Sequence, residues 1–204
     1  MTELRGGLFI TFEGTDGSGK TTQLELLIAR LERAGYGVTR TVEPGGTRIG
    51  REIRRILLDS KNSGLDPRAE LLLYFASRAQ NVAEVIRPAL ASGRVVVCDR
   101  SVIDNYAYMK FACGRQPAIE RFVEWWMKSY DLLFKVPYAA GPASEDGVRD
   151  TDEFFVRSID QLVTDLLAEK KIRHEVLPVG ERPRWVEIVR DVVLGSAEIA
   201  QKTI

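Results

Sequence analysis

Residues Leu8 to Thr22 read LFITFEGTDGSGKTT, and their order decides the fold. Leu8 to Phe12 is a short β-branched and aromatic run, which reads as a strand. It ends at Gly14, which opens a glycine-rich turn. From Lys20 to Ala34 apolar residues recur at helical spacing, at Leu24, Leu27, Ile28 and Leu31, so a helix follows. Between strand and helix, Gly14-Thr15-Asp16-Gly17-Ser18-Gly19-Lys20-Thr21 fits G-x-x-x-x-G-K-[ST] without a mismatch. Glycines let the backbone curl so that several N–H groups point at one phosphate. The helix N-terminus adds partial positive charge. Lys20 is expected near the β and γ phosphates of ATP, and Thr21 offers its hydroxyl to Mg²⁺. A chance match in a glycine-rich turn is the bland alternative, and a loop that binds nucleotide without turnover is another.

Outward from this stretch, strands and helices alternate. Gly35 stops the first helix, and Val38 to Val42 reads as a second strand. Glu43-Pro44-Gly45-Gly46 is a loop on turn chemistry. Ile49 to Leu58 is helical. Arg68 to Leu90 is a long helical pattern, in one segment or two, closed by Pro88 and Gly93. Val95 to Cys98 is a continuous apolar run, as expected of a strand buried on both faces. Ile119 to Ser129 reads as helix and Leu132 to Val136 as a buried strand. Pro137 to Asp150 is rich in Gly, Pro, Ala and acidic residues and reads as a mobile loop. Asp152 to Lys170 is a strong amphipathic helix, Glu175 to Val179 a last strand, and Trp185 to Leu194 a closing helix. The expected fold is α/β: a five-stranded parallel sheet with helices on both faces. Ligands in such a sheet bind at the carboxyl ends of the strands.

Composition narrows the partners. The chain has 204 residues, 45% hydrophobic and 28% charged, with Lys+Arg and Asp+Glu balanced at 29 each. The length favours a single domain over 1–204, with a small lid at about 137–151. No basic surplus points to a nucleic-acid polymer, although local cations can still gather round a small phosphorylated substrate. The two cysteines, Cys98 and Cys113, and the one histidine, His174, fall short of the about four ligands of a structural zinc site. Cys98 is expected in the core and His174 on the surface. No stretch approaches the ~20 apolar residues of a membrane span, so no membrane partner is expected, and a reducing cytoplasm is the default.

The second chemical cluster is Val95-Val96-Val97-Cys98-Asp99-Arg100. An acidic residue ending a buried strand is placed to serve Mg²⁺ near a phosphate loop, and Asp99 is the candidate. A helix cap is the plainer role for it. Arg100 follows and either faces the same crevice or makes a surface salt bridge.

With these residues in hand, the chain resembles the thymidylate kinase family of P-loop nucleoside-monophosphate kinases. Four motifs carry the resemblance across Leu8 to Tyr108: Phe12 to Thr22; Glu43-Pro44-Gly45-Gly46-Thr47; Glu70 to Pro88 with Ser77-Arg78-Ala79-Gln80; and Asp99-Arg100 with Ala107-Tyr108. The resemblance implies the P-loop NTPase fold and transfer of the ATP γ-phosphoryl group to thymidylate. It implies that the loop as far as Thr22 binds ATP, and that Asp16 positions the sugar hydroxyl and nearby phosphate ligands. Glu43 belongs to the substrate loop. Arg54 and Arg100 would contact the acceptor phosphate, Tyr74 would stack on the base, and Arg78 would support the base or that phosphate. Gln80 is the candidate for a base-edge hydrogen bond, and Tyr108 would crowd the 2′ position. Tyr74 could equally be core, and Arg54 and Arg78 could lie on a solvated helix face.

The pattern departs from the family at Val42, where Arg is frequent, at Ser101, where an aromatic or His is common, and at Met109, where Gln is often found. The second half, from Tyr130-Asp131-Leu132-Leu133-Phe134 through Asp146-Gly147-Val148-Arg149-Asp150, also resembles nicotinamide riboside kinases and related small ATP-binding domains. Arg149, with Arg157 beyond it, is the lid cation expected to close over the transferring group; a solvated loop charge is the alternative. A kinase of another nucleoside or nucleotide, and a nucleotide-binding regulator with little turnover, stand as competing readings. By resemblance a homodimer is expected, with Trp125 and Trp126 at the interface or in the core.

Overall fold

The computed structural model describes residues 7–15, 18–127, 129–138, 153–178, 187 and 191. Five parallel strands form one sheet: β1 (Leu8–Glu13), β2 (Val38–Val42), β3 (Val95–Asp99), β4 (Leu132–Lys135) and β5 (Glu175–Val176), in the order β2-β3-β1-β4-β5. The helices are α1 (Lys20–Arg33), α2 (Arg48–Leu58), α3 (Pro67–Asn81), α4 (Arg87–Ala91), α5 (Val102–Cys113), α6 (Pro117–Met127) and α7 (Glu153–Glu169).

Both faces of the sheet are covered, which follows from the period of two along each strand. Leu8, Ile10 and Phe12 of β1, Val95 and Val97 of β3, and Leu132 and Phe134 of β4 pack with Leu24, Leu27 and Leu31 of α1. On the other face Phe9, Val96 and Cys98 meet Ile86 and Ala89, while Leu133 joins the apolar sides of α3, α5, α6 and α7. The continuous apolar run of β3, and the burial of every residue of β1 including Thr11 and Glu13, are what two covered faces produce.

Three elements depart from the sequence reading. Helix α5 was not foreseen; Ser101 caps it, its hydroxyl accepting from Ile103 N–H at 3.1 Å, and Gly114 ends it at φ 70°. Pro88 does not close the preceding helix. Residues Val82–Ile86 form a π turn in which Arg87 N–H reaches back to the Val82 carbonyl; the widened turn carries the chain past the proline ring and on to Ala91. Strand β5 is two residues long rather than five. The predicted lid at 137–151, apart from Pro137 and Tyr138, lies outside the described residues, as does Trp185–Leu194 apart from Glu187 and Asp191.

Register brings the functional loops together. Val42 pairs with Asp99, and Asp99 with Phe12, so Glu43, Arg100 and Glu13 leave the sheet side by side at its carboxyl edge.

Candidate active site

The phosphate loop is built as its residues require. Gly14 has φ 152°, and a Cβ there would stand 2.6 Å from the Val136 carbonyl oxygen. Gly19 is left-handed at φ 93° and caps α1 with no side-chain hydrogen bond, leaving the first-turn N–H groups without a side-chain acceptor. The Thr15 and Ser18 hydroxyls are buried without a partner. Orphaned donors in a cradle that excludes side chains fit a phosphate group. Asp16 and Gly17 lie outside the described residues.

Lys20, Thr21 and Asp99 converge as expected. Thr21 Oγ1 donates to Asp99 Oδ2 at 3.1 Å, and Lys20 Nζ stands 3.5 Å from Asp99 Oδ1. Among the described residues no group of three or more His, Cys, Asp or Glu could hold a metal ion. A divalent cation beside Thr21 and Asp99 would therefore complete its shell with phosphate oxygens and water, which suits Mg²⁺.

Arg100 follows Asp99 at the same edge of the sheet. Its φ of 77° is unusual for a residue with a side chain and costs roughly 1–3 kcal/mol. Its N–H donates to the Phe12 carbonyl at 2.9 Å, and its own carbonyl accepts from Thr11 Oγ1 at 2.9 Å. The guanidinium bonds Asp104 Oδ2 at 2.7 Å. Tyr74 is half-buried, and its hydroxyl is pushed up to about 12, by burial first and then by Glu70, against the pull of Arg100 and Arg54. Tyr74 thus feels the charge of Arg54 on α2 and of Arg100 after β3.

Arg54 and Arg78 act on the Glu43–Gly46 turn in different ways. Arg54 Nη1 donates to the Pro44 carbonyl at 3.0 Å. Arg78 is fully buried, ion-paired to Glu43, bonded to the Tyr130 hydroxyl, and lies over the rings of Trp126 and Tyr130 at 5.3 and 5.1 Å. Asn81 Nδ2 donates to Glu43 Oε1 at 3.2 Å, and Asn81 Oδ1 accepts from Thr41 Oγ1 at 2.7 Å. A Cβ at Gly46 would overlap Thr41 and Asn81, so the turn lies hard against α3. Burial pushes the Glu43 carboxyl up, and Arg78 opposes it.

The other candidates are more scattered. Gln80 gives its amide to Glu84 one turn along. Tyr108 sits at the α5–α7 contact, its ring 5.7 Å from Phe155. Thr22 is exposed on the first turn of α1. Arg149 lies outside the described residues, and Arg157 pairs with Glu153 at 2.7 Å. Sequence reasoning missed Glu13, Asp104, Asn81 and Tyr130. A charged residue closing the apolar run of β1 was the one available signal, for Glu13.

Known proteins agree with this layout. The family model described as Thymidylate kinase matches residues 12–120. A thymidylate kinase of Solidesulfovibrio magneticus is 58% identical over 107 residues, 52% of this chain and 51% of that protein. One of Pseudomonas fluorescens is 45% identical over 153 residues, 72% of this chain and 73% of that protein. The stretch matched in the first of these, as in several similar relatives, spans about half the relative's length. A crystal structure of thymidylate kinase from Ehrlichia chaffeensis superposes with a TM-score of 0.74 at 30% identity, covering 92% of this chain and 99% of that one. That likeness runs through the second half, where the sequence also resembled other small kinases. With a phosphate loop, a Thr–Asp pair and an arginine pocket on one parallel sheet, and with the family's profile over half its length, this chain belongs to the thymidylate kinase family.

Proposed function

We propose that the chain transfers the γ-phosphoryl group of ATP to thymidylate, giving dTDP for deoxynucleotide synthesis. The observation that carries this reading is that Arg54 of α2 and Arg100, the residue after Asp99, both act on the half-buried Tyr74 hydroxyl. Two guanidinium groups, one from α2 and one from the turn after β3, suit an anion, since each can donate two parallel hydrogen bonds. Membership of the family makes thymidylate the acceptor of choice.

The chemistry is positioning and charge neutralisation. Lys20 and the N–H groups of the loop bind the β and γ phosphates, and Asp16 orients the sugar. Thr21 and Asp99 would hold Mg²⁺, which would supply further neutralisation of the donor phosphates. Arg100 and Arg54 hold the acceptor phosphate, which is already anionic and needs no strong base. Arg149, with Arg157, closes over the transferring group. Tyr74 stacks on the base, and Gln80 swings from Glu84 to its edge. The reaction belongs to the cytoplasm, where such nucleotides are made; among the described residues no helix is long and apolar enough to cross a membrane.

Arg100→Ala tests the acceptor assignment. The thymidylate KM is expected to rise, or kcat to fall, by about a hundredfold, as when a charged hydrogen-bond partner worth roughly 2–3 kcal/mol is lost. The ATP KM should move much less. Wild-type phosphorylation of thymidine but not thymidylate, read as ADP release across a panel of nucleosides and monophosphates, would overturn the function.

Tyr108 is the sugar gauge in this reading. Tyr108→Ala should narrow the kcat/KM preference for deoxyribo over ribo acceptors. An unchanged ratio removes Tyr108 from the pocket. The assembly is a homodimer. Trp126 is core, but Trp125 is 62% and Phe122 45% exposed, stacked at 6.0 Å, an apolar surface that a second copy would cover. Light scattering should return twice the chain mass, and a monomer at micromolar concentration would refute it.

A further inference from the structure

Glu13 closes β1 beneath the phosphate loop, fully buried. Neither of its carboxyl oxygens receives a hydrogen bond from a protein donor. An ionised carboxylate cannot remain so at low cost, because burial without donors removes its hydration and returns nothing. Its neighbour is Asp104 on the first turn of α5, 3% exposed and within hydrogen-bonding reach. Two carboxyl groups touch in this way only with a proton between them. Asp104 is the ionised member, since its Oδ2 takes the Arg100 guanidinium at 2.7 Å. Burial first, and then Asp104, hold the Glu13 carboxyl well above the usual range, against the weaker pull of Arg100 and Lys20. The charges of Asp104, Arg100 and Lys20 thus all bear on the buried Glu13 carboxyl at the end of β1.

We propose that Glu13 is a positioning residue for the acceptor phosphate: as a neutral acid it donates its proton to Asp104, which fixes the Asp104 carboxylate and thereby aims Arg100. The chain of contact runs from the end of β1, through α5, to the strained residue after β3. Arg100 needs such a guide because its backbone is pinned at φ 77° while its side chain must stay ready to leave water for a phosphate. The inference rests on the reading of that crevice as a monophosphate pocket.

Steady-state kinetics with ATP and dTMP on Glu13→Gln, Glu13→Leu and Asp104→Asn test it. Gln is neutral and keeps an N–H donor where the acid has its O–H. Glu13→Leu should raise the dTMP KM by about tenfold with the ATP KM nearly unmoved, and Glu13→Gln should recover it to within about threefold of wild type. Glu13→Leu combined with Asp104→Asn should be no worse than Asp104→Asn alone, because both act through the same link. An equal rise in both KM values at Glu13→Leu would mean a collapsed phosphate loop and overturn the proposal. So would a dTMP KM at Glu13→Gln as high as at Glu13→Leu, which would mean that an ionised Glu13 was needed. Should the Leu protein fail to fold, the Gln protein decides alone: a dTMP KM more than about tenfold above wild type refutes a neutral Glu13. A wild type with no transfer to dTMP defeats the pocket reading itself, whereas an active wild type with Glu13→Leu kinetics unchanged defeats only this inference.

Discussion

Lys20→Ala is expected to fold normally and to lose about three orders of magnitude or more in kcat. Lys20 is 5% exposed, its ammonium 3.5 Å from Asp99 and one residue from the Thr21 hydroxyl. In the proposed reaction a cation so placed would meet the charge that moves onto the β–γ bridge as the bond breaks. Its value is greatest in the transition state, so kcat should fall more than ATP affinity. The low exposure amplifies the effect, because a charge kept from water acts through a lower dielectric. Folding should suffer little. Asp99 keeps its bond from Thr21 and a side chain 14% exposed, so the loss of the ammonium beside its buried Oδ1 should cost little beyond that one contact, and Lys20 takes no part in the apolar packing of α1. Thermal melting gives the first half of the test and single-turnover phosphoryl transfer the second. A folded Lys20→Ala protein with near wild-type transfer would remove the phosphate loop from the chemistry.

The loop was legible because its chemistry is local. Glycine spacing, the lysine and the flanking strand and helix are fixed within Leu8 to Ala34, and no distant residue is needed to interpret them. Asp99 was legible for a related reason: an acid ending a continuous apolar run stands where a parallel sheet puts its ligands. Helix α5 was missed because it has no apolar stripe. Of its first eight residues all but Tyr108 are buried, Asp104 and Asn105 among them, so the 3.6 period that marks a half-buried helix is absent. Pro88 misled because a proline is read against an α-helical ladder, and a π turn changes the ladder. The partner of Arg78 was beyond reach for a third reason. On a helix an arginine looks the same whether it faces water or a buried carboxylate 35 residues away, and only tertiary packing decides. Glu13 and Asp104 lie 91 residues apart with an arginine between their roles, and neither stood out against the loop beside them.

Arg78→Met carries the largest expected loss of stability. Arg78 and Glu43 are both buried, at 1% and 2% exposure, so their charges are met by each other, by Asn81 and the Tyr130 hydroxyl, and by the Trp126 and Tyr130 rings rather than by water. Taking away the cation leaves a carboxylate in an apolar wall, which costs about 3–5 kcal/mol, or a fall in Tm on the order of 10 °C for a chain of this size. Protonation of Glu43 limits the damage, since burial already pushes that carboxyl up; the loss should therefore shrink as pH falls, where the proton is easily supplied. Arg78→Met with Glu43→Met removes both charges and should recover much of the loss, a non-additivity that two independent sites would not give. The effect should also reach the acceptor. The Glu43–Gly46 turn holds Arg54 through the Pro44 carbonyl, so loosening the turn from α3 should raise the thymidylate KM at temperatures where the protein remains folded, with the ATP KM little changed. Melting curves of the two single variants and the double variant, taken at neutral and mildly acid pH, settle the matter. A single Arg78→Met protein that melts with wild type, or a double variant that melts at the sum of the single losses, would show that the pair does not anchor the turn.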